Sequence, residues 1–334
     1  LWYNIHIRQN KKEYIMSHEV ETMAYAGELP WHGLGVPVSN ELTPMMMLEK
    51  AGLDWTVDEV PSFVEHNGTQ IPTGQKSLVR SSDSKILTNV GEGWHPVQNY
   101  EAFNFFNEFV MSGDMEMHTA GSLKGGQMVW ALAKVKESFD IFGDDKVESF
   151  LLFSNPHQYG KALNVKFTPI RVVCNNTLTL SLDMASAKGA KLNHRVAFDA
   201  DSVKDTLGLA HEKFAMYKEM ALHLGSKRTT AESLIQYYND VFPTTSRKQG
   251  ERVPVTQYND LSKNAKLCYD ALEVQPGSHY AEGSWWQALN SVTYITDHVQ
   301  GQNNDNRMYN QWFGYMEKAK INAANKAVEY ANAA

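Results

Sequence analysis

The sequence predicts an α+β protein: an antiparallel β-sheet with packed helices in the N-terminal half, then a mostly helical C-terminal half. Three observations carry this. Between Glu116 and Cys174, four strand-like runs rich in apolar and β-branched residues follow one another with turn residues between them. Helical patterns precede that region, at 43–52 and 99–113. After Asp201 the period lengthens, and Val203, Leu207, Ala210, Phe214, Tyr217, Ala221 and Leu224 fall on one helical stripe. The chain therefore divides into a segment 1–15, a sheet domain 16–200, and a helical region 201–334 packed on the sheet, with a polar loop near 243–257.

Residues 1–15 precede the first methionine, Met16, and read as an untranslated leader or a disordered arm. Lys12-Glu13 back-translates to a ribosome-binding sequence at a sensible distance from Met16. From Met16 to about Asn40 the chain is turn-rich, with "LPWHGLGVPV", and reads as an extended arm or irregular loop. Thr43 then caps a helix that has Pro44 at its first position and Gly52 just past its end. Strand-like runs follow at Trp55–Val60, Ser77–Arg80 and Ile86–Val90. Asn99 is placed to cap "YEAFNFFNEFVMSG", in which Phe103, Phe106 and Val110 share a face and Gly113 ends the helix.

The sheet region runs through Glu116–Ala120, a hairpin turn at Lys124-Gly125-Gly126, and strands at Gln127–Val135, Val147–Phe153 and Ala162–Cys174. Asn175 and Asn176 suit a reversal there, because asparagine bonds nearby backbone and tolerates left-handed geometry. In the C-terminal half, Thr229 and Glu232 have the spacing of a capping box, and three helical stretches follow near 259–273, 284–300 and 306–332.

Composition narrows the class of protein. A hydrophobic fraction of 43% over 334 residues is ordinary for a globular protein and supplies a sizeable core. The two cysteines, Cys174 and Cys268, lie far apart, which argues against a disulfide framework or a cysteine zinc site and for a reducing intracellular home. No apolar run approaches the roughly 18 residues of a membrane span.

Catalytic templates fail in turn. "AHEKFA" offers His211-Glu212, but Ala215 stands where a zinc protease needs its second histidine. "GSLKG" around Ser122 lacks a residue of the nucleophile elbow. "GEGWHP" and "GLGVPV" break the dinucleotide pattern after two glycines. Asp199 and Asp201 present hard oxygens to a cation, although Asp201 also suits a helix cap. Arg171, three residues from Cys174, falls on the opposite face of a regular strand, so Cys174 reads as a buried strand thiol rather than a nucleophile. These readings name no catalytic residue, no metal site and no cofactor.

What remains is charge. The chain has net charge −7, yet from residue 161 to 195 Lys161, Lys166, Arg171, Lys188, Lys191 and Arg195 face only Asp183. A basic stretch on an acidic protein predicts an anionic partner. With Tyr159, Phe167 and His194 interleaved, it has the composition of a single-strand nucleic-acid groove, cations tracking phosphate and rings offering stacking faces. The alternative is a solvated sheet face whose charges pair elsewhere.

Three segments, "LPWHGLG", "PIRVVCNNTL" and "GSWWQALNSVTYITDH", make the chain resemble the phage and plasmid protein family known as domain of unknown function 932. Ser291 and Thr293-Tyr294 depart from that family's usual pattern. The resemblance implies a phage, prophage or plasmid source and a place in the bacterial cytoplasm, and supplies no activity. In architecture the family is similar to single-strand annealing recombinases of the radiation-sensitive protein 52 type, which implies a homo-oligomer on single-stranded DNA.

Two hypotheses follow. The first is a recombination or replication protein that binds and anneals single strands without nucleotide hydrolysis, through the six basic residues, with Arg247, Lys248 and Arg252 as outer contacts. The second is an enzyme on nucleic acid or nucleotides, with a metal site assembled from residues such as His32, Glu92, His95 and Asp199. A structural or host-interaction protein using Trp285-Trp286 and Trp312-Phe313 is a third.

Overall fold

The computed structural model describes residues 20–27, 35–171, 176–177, 180–181, 191–192, 200–245, 253–300 and 307–333. The N-terminal segment overturns the expectation of an arm. Val20–Ala26 forms strand β1, inserted between two other strands of the large sheet and largely buried. Its alternation is blurred by small residues of low strand propensity, Ala24 and Ala26, both buried. Close approach explains Gly121 opposite Met23: a Cβ there would collide with the Thr22 carbonyl. Val36–Val38 (β2) runs parallel to β1.

Helix α1 spans Pro44–Lys50, with Thr43 Oγ1 accepting from Met46 N at 3.2 Å and Gly52 in left-handed geometry at φ +67. The next three strands are longer than the sequence suggests: β3 Val57–His66, β4 Thr69–Arg80 and β5 Ile86–Gly91 form a separate antiparallel sheet. Because β5 reaches only Gln75–Val79 of β4, the rest of the β3–β4 hairpin is a two-stranded ribbon. Val64 lies opposite Ile71 and Phe63 opposite Pro72, so each face of the ribbon carries an exposed apolar pair. At the ribbon's base, Arg80 is buried and bonds Glu21 of β1 at 2.7 and 2.9 Å and Asp83 at 2.6 and 2.9 Å. The guanidinium holds the Asp83 carboxyl down at about 2.

The helix over 99–113 is broken into α2, Asn99–Asn104, and α3, Asn107–Met111, and Gln98 rather than Asn99 stands at the cap. Asn99 is buried and has other work. Its amide donates to the Leu53 and Trp55 carbonyls at 3.0 and 3.3 Å, and its oxygen meets His157 Nε2 at 2.9 Å. Satisfying buried polar backbone outweighs the capping preference.

The large sheet continues with β6 Met115–Leu123, β7 Met128–Asp140, β8 Lys146–Pro156 and β9 Leu163–Arg171. The two-residue strands β10 (176–177), β11 (180–181) and β12 (191–192) all pair with β9. The order is β10-β9-β8-β7-β6-β1-β2, antiparallel except for β1–β2. Cys174 and Asn175 lie outside the described residues; Asn176 and Arg171 are antiparallel partners in the β10–β9 pairing.

The C-terminal half supplies α4 Ala200–Ser226, α5 Ala231–Val241, α6 Lys263–Asp270, α7 Trp285–Tyr294, α8 Arg307–Phe313 and α9 Tyr315–Ala333. α7 runs on into a π turn at Ile295–Val299. Thr230, one residue later than the sequence suggests, caps α5 by accepting from Ser233 N at 3.1 Å. The single helix expected over 306–332 breaks at Gly314, where a Cβ would collide with Asn310. The polar loop's Arg247, Lys248 and Arg252 lie outside the described residues.

Each face of the large sheet is covered. On one, Phe106, Phe153 and Phe167 pack in a single core with Phe214, Tyr217 and Trp286 from the helices. On the other, Met23, Leu123, Trp130, Leu132 and Phe150 pack with Met308 of α8. Trp312 closes that face edge-on to Trp130, ring centroids 5.0 Å apart. The paired Trp285-Trp286 is buried inside the molecule.

Candidate nucleic-acid interface

The topology brings four of the six predicted basic residues to one strand and its edge. Lys161 lies just before β9, Lys166 lies within it, Arg171 ends it, and Lys191 of β12 pairs with Asn164 near its start. Lys188 and Arg195 lie outside the described residues.

Lys166 turns inward. Its ammonium donates to the Trp312 carbonyl at 2.9 Å and pairs with Glu317 at 2.5 Å, both partners largely buried. It also sits 4.9 Å from the centre of the Phe313 ring. This cation fastens the α8–α9 junction to β9, which the local charge count had no means of revealing, because Glu317 is 151 residues away.

Lys161 is exposed, and the residues beside it come from elsewhere in the chain. Lys124, held in the β6–β7 turn by left-handed backbone at φ +54, places its ammonium 3.7 Å from the centre of the Tyr309 ring. The Lys161 ammonium lies 5.8 Å from the same ring. Two ammonium groups thus lie within cation–π distance of the Tyr309 ring. Among the described residues, neither lysine has a carboxylate within ion-pair distance. Lys85 joins them: its ammonium fills the space that a Cβ on Gly125, next to Lys124, would need. Tyr159, 65% exposed, adds a free ring two residues from Lys161.

Three lysines and two tyrosines from four chain segments therefore share one end of the large sheet. Sequence reading found Lys161 and Tyr159 and missed Lys85, Lys124 and Tyr309, which belong to no local run of charge. A lysine at a hairpin tip was the available signal for Lys124; nothing in sequence ties it to Tyr309.

The residues of the enzyme hypothesis do not form a comparable site. His95 Nδ1 lies 3.3 Å from Glu59 on an exposed surface, and the Glu92 carbonyl accepts from Lys76. His32 and Asp199 lie outside the described residues. Among the described residues no three His, Cys, Asp or Glu side chains are grouped to hold a metal. No helix of the described residues is long and apolar enough to cross a membrane.

Two further buried polar arrangements involve Lys320 and His118. Lys320 of α9 has a fully buried side chain and pairs at 2.7 Å with Asp297 in the π turn, itself nearly buried. Arg307 and Gln311 of α8 donate to the Asp297 carbonyl, the latter at 2.7 Å. His118 of β6 sits at a bulge against the Phe150 ring, centroids 5.0 Å apart. Burial, reinforced by Lys134, pushes its imidazole down to about 4.

These features define an α+β protein, a helix-backed antiparallel sheet with a lysine–tyrosine surface at one end. The chain belongs to the family described as domain of unknown function (DUF932), whose model matches residues 86–325. No curated protein and no solved structure matches the chain.

Proposed function

We propose that this is a phage- or plasmid-encoded protein that binds single-stranded DNA and anneals it as a homo-oligomer, without nucleotide hydrolysis. The observation that carries the reading is the pair Lys124 and Lys161 near Tyr309, with no carboxylate in reach among the described residues. Two ammonium groups about a ring supply both elements of sequence-tolerant strand binding, phosphate neutralisation and base stacking. Annealing needs nothing further chemically: the backbone is held, base edges stay free, and pairing selects the partner strand. Lys166, by pinning α8 to the sheet, positions Tyr309 rather than touching DNA.

The test is fluorescence anisotropy with labelled single- and double-stranded oligonucleotides across a salt series, with annealing followed in the same samples. Replacing Lys124 and Lys161 together by Ala is expected to reduce the log–log salt slope by roughly 1.4, about 0.7 for each lost phosphate contact. Tyr309→Ala is expected to weaken binding by about 1–3 kcal/mol while leaving that slope in place. Absence of binding at low salt, or a slope unchanged in the double variant, would remove the proposal.

A further inference from the structure

At the far end of β7 from the lysine–tyrosine surface lies an open surface pocket of about 540 Å³. Its floor is Phe142, from the β7–β8 turn, whose ring lies so tightly on Gly225 of α4 that any Cβ there would displace it. Its walls are Arg228, between α4 and α5, and His279, Tyr280 and Glu282, from the turn before α7. Backbone pairing fixes the walls to each other: Arg228 and Ser284 form an isolated bridge, and Thr229 N donates to the Gly283 carbonyl at 2.9 Å.

The chemistry of the lining is specific. The Arg228 side chain donates to the Glu282 carbonyl and, among the described residues, has no carboxylate within ion-pair distance. A guanidinium carries five donors, so the bond to Glu282 leaves Arg228 capacity for an anion. The His279 and Tyr280 rings lie 4.3 Å apart at 32° to each other, and Phe142 adds a third ring. Glu282 contributes an acceptor-only group on the same wall. The volume falls within the range of small-molecule sites.

A ligand matching this lining has an anion for Arg228, a flat ring for the aromatic groups, and a hydrogen-bond donor for Glu282. We propose that the pocket binds a nucleoside monophosphate whose base carries an exocyclic amino group. Thymidine monophosphate has no exocyclic amino group, its base offering only the ring N3–H, and is the disfavoured ligand. The same chemistry is presented by a free nucleotide and by the phosphorylated end of a strand. Because the pocket and the Tyr309 surface lie at opposite ends of β7, it stands or falls separately from strand binding.

The experiment is a ligand-observed NMR titration of the full chain with AMP, thymidine monophosphate, inorganic phosphate and a 5′-phosphorylated oligoadenylate. AMP is expected to bind saturably and more tightly than either thymidine monophosphate or phosphate. Arg228→Ala, at an exposed position, is expected to weaken AMP at least tenfold, with the circular dichroism spectrum unchanged. Glu282→Gln is expected to narrow the preference for AMP over thymidine monophosphate while leaving phosphate binding as it was. AMP tighter than the oligoadenylate marks a free nucleotide as the ligand; the reverse order marks a strand end. Either order supports the site if Arg228→Ala abolishes it. No AMP binding at about 10 mM, a concentration that half-fills even a site of only about −2.7 kcal/mol, overturns the proposal. So does equal binding by wild type and Arg228→Ala, or AMP bound no better than phosphate.

Discussion

Replacing Lys320 by Met is expected to destabilise the fold by about 3–5 kcal/mol, because it leaves the Asp297 carboxylate in the interior without the ammonium that meets it at 2.7 Å. The two side chains are 0% and 4% exposed, so water cannot take the lysine's place. Asp297→Leu removes the carboxylate that meets the buried Lys320 ammonium and carries a similar cost. The double variant removes both charges, and its cost should fall short of the sum of the singles by about 2 kcal/mol or more. The Arg307 and Gln311 contacts survive in all three variants, since they go to the Asp297 backbone carbonyl. Urea unfolding followed by circular dichroism measures each term, with a constant m-value as the check that unfolding remains comparable. Singles that add within about 0.5 kcal/mol would show the two groups to be uncoupled and refute the reasoning.

Two other expectations concern protonation. The His118 imidazole is held at about 4, against about 6.5 in an unfolded chain, so below pH 6.5 the unfolded state takes up a proton that the folded state refuses. Stability is therefore fully present above pH 6.5 and falls by up to about 3 kcal/mol as the pH drops toward 4. Urea midpoints at pH 7.5 and 4.5 should differ less in His118→Leu than in wild type; equal differences would refute this role. Cys268 is fully buried, and burial pushes its thiol well above the ordinary range. In a Cys174→Ser background, Ellman's reagent should label Cys268 only after unfolding, and prompt labelling of the native protein would contradict its placement.

The legible parts of the sequence were those whose signals are local. Thr43, Pro44 and Gly52 marked α1 because cap, first turn and exit are each decided within a few residues. The β6–β7 hairpin was visible in Lys124-Gly125-Gly126, where left-handed backbone is required. β1 escaped because its alanines contribute burial without strand propensity, and what makes it a strand is pairing with β6, about a hundred residues away. Asn99 and Thr229 were one residue off as caps for a similar reason, since each is bonded to a tertiary partner, Asn99 to Leu53 and Thr229 to the Gly283 carbonyl. The candidate site was half visible: β9 did gather basic residues, but whether each ammonium faces inward, as Lys166 does, or outward, as Lys161 does, depends on α8 and α9.

The β3–β4 ribbon stands apart from all of this. From residue 62 to 75 nearly every side chain is exposed, the strands bond chiefly to each other, and the stretch lies before residue 86, where the family match begins. Such a stretch is mechanically a lever. Its length and composition can drift without disturbing the core, and a probe or tag at Asn67-Gly68 would report on encounters with other molecules while the body folds as before.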